Sequence, residues 1–220
     1  MKKPKYNRIM IAGPSGIGKT TLAKYLAKNK ESFLSGSVSS LIPETKDLPH
    51  KDMLNRASDV LYLEDFQILN LRNKLYCNKD YFVTDRSYLD SIAYFLYKQG
   101  DKQPKCEVEH FINLSSMLLT QQCDLLIFLP LNSCYINDWV IEDNHKRILS
   151  TYFQSEISAI MRLSLAILNY TSEYSCGMLQ PNYSKYEFGK IKNLYGTTDV
   201  LIINTLKLEE RFKIVNKIVK

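Results

Sequence analysis

The feature that most constrains this chain is a turn. Residues 13–20 read Gly-Pro-Ser-Gly-Ile-Gly-Lys-Thr, a complete G-x-x-x-x-G-K-[ST] pattern. The turn sits between an apolar strand pattern at 8–12 and an amphipathic helical pattern at 19–28 that carries Leu22, Tyr25 and Leu26. Gly13, Gly16 and Gly18 let backbone N–H groups curl around an anion without Cβ clashes. The helix that opens near Lys19 turns its positive dipole end towards the same anion. A nucleoside triphosphate, with ATP the expected one, is the ligand this geometry fits. The cradle comprises Gly13, Ser15, Gly16, Ile17, Gly18, Lys19, Thr20 and Thr21. Lys19 neutralises the β- and γ-phosphates, and the Thr20 hydroxyl is placed to hold Mg²⁺.

Further strand patterns occur at 32–35, 81–84, 125–129 and 200–203. Helical patterns occur at 52–76, 88–98, around 108–118, at 144–169 and at 208–219. Residues 171–198, rich in Tyr, Ser, Asn and Gly, have no clear periodicity. Strands alternating with helices predict an α/β fold, a parallel sheet with helices on both faces, and one domain over 1–220. Gly36, Pro43, Pro49 and many hydroxyls mark a long loop, expected to serve a ligand.

Composition narrows the partners. Lys plus Arg is 29 against 23 for Asp plus Glu, a net +6, which suits phosphorylated small molecules as well as nucleic acid. The longest apolar run, 125–131, contains Pro130 and falls far short of the roughly 20 residues of a membrane span. The basic N-terminus runs straight into the glycine loop with no signal-peptide core, so a cytoplasmic protein is expected. Five widely spaced cysteines (Cys77, Cys106, Cys123, Cys134, Cys176) and three isolated histidines suggest reduced thiols and no zinc site.

Two classes of chemistry lack their motifs. The strand at 125–129 runs into Pro130-Leu131-Asn132 rather than the Asp-Glu of an ATPase. The nearest approach to a guanine-reading N-K-x-D, Asn78-Lys79-Asp80-Tyr81, has its Asp one place early. What does follow an apolar strand is Thr84-Asp85-Arg86-Ser87. A carboxylate there can hold Mg²⁺ or accept a hydroxyl proton, and an adjacent arginine can clamp a phosphate bidentately.

The segment 83–94, Val-Thr-Asp-Arg-Ser-Tyr-Leu-Asp-Ser-Ile-Ala-Tyr, resembles the D-R-Y-x-x-S-x-x-A-Y segment of thymidylate kinases and the E-R-S segment of deoxynucleoside kinases. Phe66-Gln67 followed by Arg72 is similar to the F-Q…R helix of deoxynucleoside kinases, in which the Gln reads the base edge. Leu125 to Pro130, then Asp138-Trp139, Asp143 and Lys146-Arg147, resemble the strand and lid of a broader kinase group that includes nicotinamide-riboside kinases.

The resemblance implies a P-loop NTPase fold with a five-stranded parallel sheet ordered 2-3-1-4-5. It also implies ATP- and Mg²⁺-dependent phosphoryl transfer to a nucleoside or nucleoside monophosphate. By the same resemblance Lys19, Asp85, Arg86 and Arg147 are catalytic, with Lys146 and Arg147 on a lid at about 135–150. Thr20 and Asp85 hold the metal, and Gln67, Arg72, Arg86 and Lys46 meet the acceptor, Lys46 from a loop at about 36–52. Glu44, Asp47, Asp52 and Asp85 are all open as the base. Nicotinamide riboside or a hydroxymethylated base within DNA as acceptor, a regulatory ATPase, and a homodimer stay open as alternatives. Tyr88 and Tyr94 could stack on a base, but their helical spacing favours core packing.

Overall fold

The computed structural model describes residues 5–27, 29–37, 41–42, 58–131, 151–180, 183–205 and 207–219. Seven strands form one sheet: β1 (Arg8–Ala12), β2 (Phe33–Leu34), β3 (Phe82–Thr84), β4 (Leu125–Phe128), β5 (Tyr170–Gln180), β6 (Tyr183–Asn193) and β7 (Gly196–Ile203). The helices among the described residues are α1 (Lys19–Leu26), α2 (Ser58–Tyr76), α3 (Tyr88–Gln99), α4 (Lys105–Gln122), α5 (Thr151–Ile167) and α6 (Leu208–Val219).

The strand order is β2-β3-β1-β4-β7-β6-β5. Pairs β2–β3, β3–β1, β1–β4 and β4–β7 are parallel, whereas β7–β6 and β6–β5 are antiparallel. This corrects the expected sheet of five parallel strands: the sheet is mixed and has seven. Its parallel part runs in the expected spatial order, with residues 200–203 inside β7. The addition is the hairpin of β5 and β6, in the stretch whose composition showed no period. Its pairing comes from β7, with Tyr186 opposite Ile203 and Asn193 opposite Gly196. Tyr186 and Phe188 then face one apolar cluster and Ile191 the other.

Strands β1 and β4 are buried on both faces, as continuous apolar runs in parallel sheets are. Met10, Ala12, Leu126 and Phe128 pack beneath α2, α3, α4 and α5. Ile9, Ile11, Leu125 and Ile127 pack beneath α1 and α6. The helices therefore lie on both faces. No helix among the described residues is long and apolar enough to cross a membrane. Cys77, Cys106 and Cys123 are free thiols.

The start of β1 is pinned to the start of β4. Asp124 Oδ1 accepts from Arg8 Nε at 3.0 Å and Nη2 at 2.6 Å, and Oδ2 accepts from the N–H groups of Asn7 and Arg8. Burial alone would raise the Asp124 pKa, but the guanidinium and two amides outweigh it and hold the carboxyl below its ordinary value. A carboxyl depressed in the fold stabilises above its unfolded pKa of about 3.9, and that stability is lost as pH falls through the lower folded value. Asp124→Asn should cost about 1–3 kcal/mol in urea unfolding at pH 7. The gap to the natural protein should narrow below about pH 4.

Candidate active site

Because β2, β3, β1, β4 and β7 are parallel, their following loops gather at one edge, where open α/β sheets bind ligands. The glycine loop follows β1, Gly36 follows β2, Asp85 follows β3, and Asn204 and Thr205 follow β7.

The glycine loop adopts the conformation its residue types allow. Gly16 and Gly18 have φ of 82° and 87°, the left-handed region that other L-residues avoid. Gly18 is the N-cap of α1 and offers no side chain to the first turn, so the early N–H groups of α1 have no cap. No described residue accepts from the N–H groups of residues 15 to 18. Lys19 is 4% exposed, and its Nζ donates to the carbonyls of Gly13 and, at 2.7 Å, Pro14. The loop therefore collects unpaired backbone donors, a helix dipole and an ammonium group in one place.

Beside the first turn of α1, Asp85 is 4% exposed. Its Oδ2 accepts from Thr20 Oγ1 at 2.6 Å, and its Oδ1 accepts from Gly36 N at 3.3 Å. The carboxylate after β3 and the hydroxyl that closes the glycine motif are thus in direct contact. Two adjacent hard oxygen groups are the donor type that Mg²⁺ takes. Arg86 is half-buried, and its Nη1 donates back to the Asp85 carbonyl at 3.0 Å. Burial works against the Arg86 charge, but Asp90, Tyr94 and Asp85 outweigh it and hold its pKa above the ordinary arginine value. Ser87 caps α3 in a reciprocal box with Asp90, which sets the direction in which the Asp85-Arg86 pair leaves the strand.

Arg72 is 4% exposed, and its Nε and Nη1 donate within the protein. Nε donates to the Gly36 carbonyl at 3.1 Å, and Nη1 donates to the Ser87 carbonyl at 3.2 Å and to Ser91 Oγ at 2.6 Å. It ties the loop after β2 to the start of α3. Gln67 is not beside it. On α2, Arg72 shares the buried stripe with Asp65, Leu69 and Tyr76, whereas Gln67 lies on the exposed stripe with Leu63, Asn70 and Lys74. Phe66 packs against the α4 rings of His110 and Phe111. Lys46, Glu44, Asp47 and Asp52 of the acceptor loop, and Lys146 and Arg147 of the lid, lie outside the described residues.

Tyr88 is a fully buried core residue, as its spacing suggests, with its hydroxyl donating to Gln122 Oε1 at 2.7 Å. Tyr94 does more. Its ring lies beside Phe153 of α5, and its hydroxyl is 3.3 Å from Ser15 Oγ in the glycine loop. Sequence reasoning named Tyr94 only for base stacking or core packing and Gly36 only as a loop marker, and it did not single out Arg211. A glycine two residues past a strand was the available signal for Gly36. Arg211, on α6, had none, because its partner lies 194 positions away, at Ile17.

The sequence pattern of the AAA domain matches residues 8–170. The chain belongs to the AAA domain family. This AAA domain has the nucleotide-binding fold of P-loop NTPase type. The match runs from β1 to the first residue of β5, so β6, β7 and α6 lie beyond it. No curated protein matches the AAA domain chain by sequence. Among solved structures, the crystal structure of NadR protein in complex with NR is similar at a TM-score of 0.48 and 15% identity, over 73% of this chain. The chain spans 40% of that protein.

Proposed function

We propose that residues 1–220 form one ATP- and Mg²⁺-dependent kinase domain that transfers the γ-phosphoryl group to a nucleoside or nucleoside monophosphate. The observation that carries this reading is the 2.6 Å contact between Thr20 and Asp85. It joins the donor loop to an acidic-basic pair, with Arg86 next in the chain. A hydrolytic reading would want a carboxylate at the end of β4, and Leu129-Pro130-Leu131 stands there.

In this reading the amides of residues 15 to 18 and the N-terminus of α1 hold the donor phosphates. Lys19 turns its ammonium from the neutral carbonyls of Gly13 and Pro14 to phosphate oxygens, which form stronger, charge-assisted bonds. Thr20 and Asp85 would hold Mg²⁺, which when bound neutralises charge on the phosphates. Asp85 is also placed to accept a proton from the acceptor hydroxyl. Arg86 faces the acceptor side and clamps its phosphate or the moving phosphoryl group. Arg72 contributes by fixing Gly36 and the start of α3. Lys46 and Arg147 complete the acceptor loop and the lid.

The test is ADP release from ATP across a panel of nucleosides, nucleoside monophosphates, nicotinamide riboside and oligonucleotides. Acceptor-dependent release with one of the first two groups supports the reading. ATP turnover that no acceptor changes overturns it in favour of a regulatory ATPase. Arg86→Ala should raise the acceptor KM or lower kcat at least about tenfold, about 1.4 kcal/mol, with ATP affinity within about twofold. A large loss of ATP affinity would move Arg86 to the donor side.

A further inference from the structure

Arg211 is a buried cation with no carboxylate paired to it among the described residues. It lies in the first turn of α6 and is 2% exposed. Nε donates to the Thr205 carbonyl at 2.7 Å and Nη1 donates to the Ile17 carbonyl, while Nη2 has no partner among the described residues. No described carboxylate lies within ion-pair distance of it. The adjacent Glu210 instead accepts from Thr205 Oγ1 at 2.8 Å and meets Lys185 at 3.7 Å. Burial pulls the Arg211 pKa down to about 10, and it stays cationic at neutral pH. Buried charges are ordinarily paired, because an uncompensated one costs several kcal/mol.

What Arg211 touches is the phosphate loop. In a trans peptide the C=O and N–H point in opposite directions, and no peptide bond among the described residues is cis. A guanidinium that holds the Ile17 carbonyl therefore turns the Gly18 N–H to the opposite side of that peptide. Gly18 N is one of the loop amides that no described residue accepts from. A Cβ added to Gly18 would lie 3.3 Å from Arg211 Nη1. Helix α6 is also held against α1, with Phe212 stacked on Tyr25 at 3.9 Å and Asn216 Nδ2 donating to the Tyr25 hydroxyl at 2.6 Å.

We propose that Arg211 is a positioning residue for the nucleotide: from the C-terminal helix it turns the Gly18 amide into the phosphate cradle, and the bound triphosphate, across that one peptide, offsets a charge that no described carboxylate pairs with. Docking of α6 and binding of the triphosphate are then one coupled equilibrium. Arg211 lies outside the segment that matches the family pattern, so the coupling belongs to this chain's own C-terminal helix. The inference needs only a nucleotide at the glycine loop. Binding measured without any acceptor therefore separates its failure from failure of the kinase reading.

The experiment compares the full chain with Arg211→Gln and Arg211→Lys, by calorimetric titration with Mg-ATP and by urea unfolding without nucleotide. Arg211→Gln should weaken ATP at least tenfold, about 1.4 kcal/mol, and Arg211→Lys should recover part of the loss. Without nucleotide, the Arg211→Gln unfolding midpoint should stay level or rise, because an uncompensated buried charge has been removed. A purely structural brace predicts the opposite sign. An affinity loss under tenfold, or a midpoint that falls along with affinity, overturns the proposal. If Arg211→Gln does not fold, hydrogen exchange on the natural chain decides. ATP should slow exchange across the α6 amides, and unchanged exchange there refutes the coupling.

Discussion

Asp85→Asn should lower turnover at least about a hundredfold, a loss of about 2.7 kcal/mol of transition-state stabilisation. The change keeps the shape of the side chain and removes its charge. It also breaks a donor-acceptor match: Thr20 Oγ1 and Gly36 N both donate to Asp85, one to each oxygen. An asparagine has a single oxygen to offer, so one of the two donors would face an NH₂ group. Asp85→Glu keeps the charge but moves it by one methylene, and separates charge from placement. ATP affinity in the presence of Mg²⁺, measured beside turnover, completes the test. Near-normal turnover in Asp85→Asn would remove this carboxylate from the mechanism.

The second large effect is expected at Gly36→Ala. A Cβ on Gly36 would stand 2.2 Å from the Tyr76 hydroxyl oxygen, closer than real contacts allow, and a tight 3.0 Å from Arg86 Cβ. Tyr76 cannot give way. It is 1% exposed, its ring is stacked on Phe82 at 5.1 Å, and its hydroxyl is 3.0 Å from Thr84 Oγ1. Burial keeps that hydroxyl neutral, with its pKa pushed up to about 12. On the other side, Arg72 holds the Gly36 carbonyl. The loop would have to withdraw from Asp85 and surrender the Gly36 N–H contact. We expect a stability loss of about 1–3 kcal/mol, as overpacked sites show, and a turnover loss of tenfold or more. Adding Tyr76→Phe removes the clashing oxygen and should restore part of both. If the double variant recovers neither, the close approach of these groups is not what Gly36 serves.

The contrast between Arg72 and Gln67 shows where sequence reasoning stops. Five positions apart on one helix, they point roughly 140° away from each other at 100° per residue. A motif read as a string puts them together; the helix separates them. Conversely, Asp85 and Thr20 are 65 positions apart and meet at 2.6 Å. That meeting follows from two local patterns each ending a parallel strand on the same sheet edge, which is why the pair was legible in advance. The hairpin of β5 and β6 was not legible. Its strands pair with their neighbours in the chain, Asn193 opposite Gly196 across a short turn, through backbone hydrogen bonds that need no particular side-chain pattern.

The amino-acid sequence by itself determined the glycine loop between strand and helix, the acidic-basic pair after β3 and the alternation of strands and helices, while the spatial order of the parallel strands was an expectation from the family resemblance. The first three rest on residue types acting through their immediate neighbours and on hydrophobic periodicity. Only the tertiary structure decided that the sheet extends to seven strands, that Arg72 braces Gly36, and that Arg211 reaches the phosphate loop from the far end of the chain. The two arginine contacts join positions 36 and 194 residues apart, whereas the added hairpin pairs strands that follow one another in the chain. The arginine contacts are chosen by burial and by the pairing of polar groups across the whole fold, and no local pattern carries them.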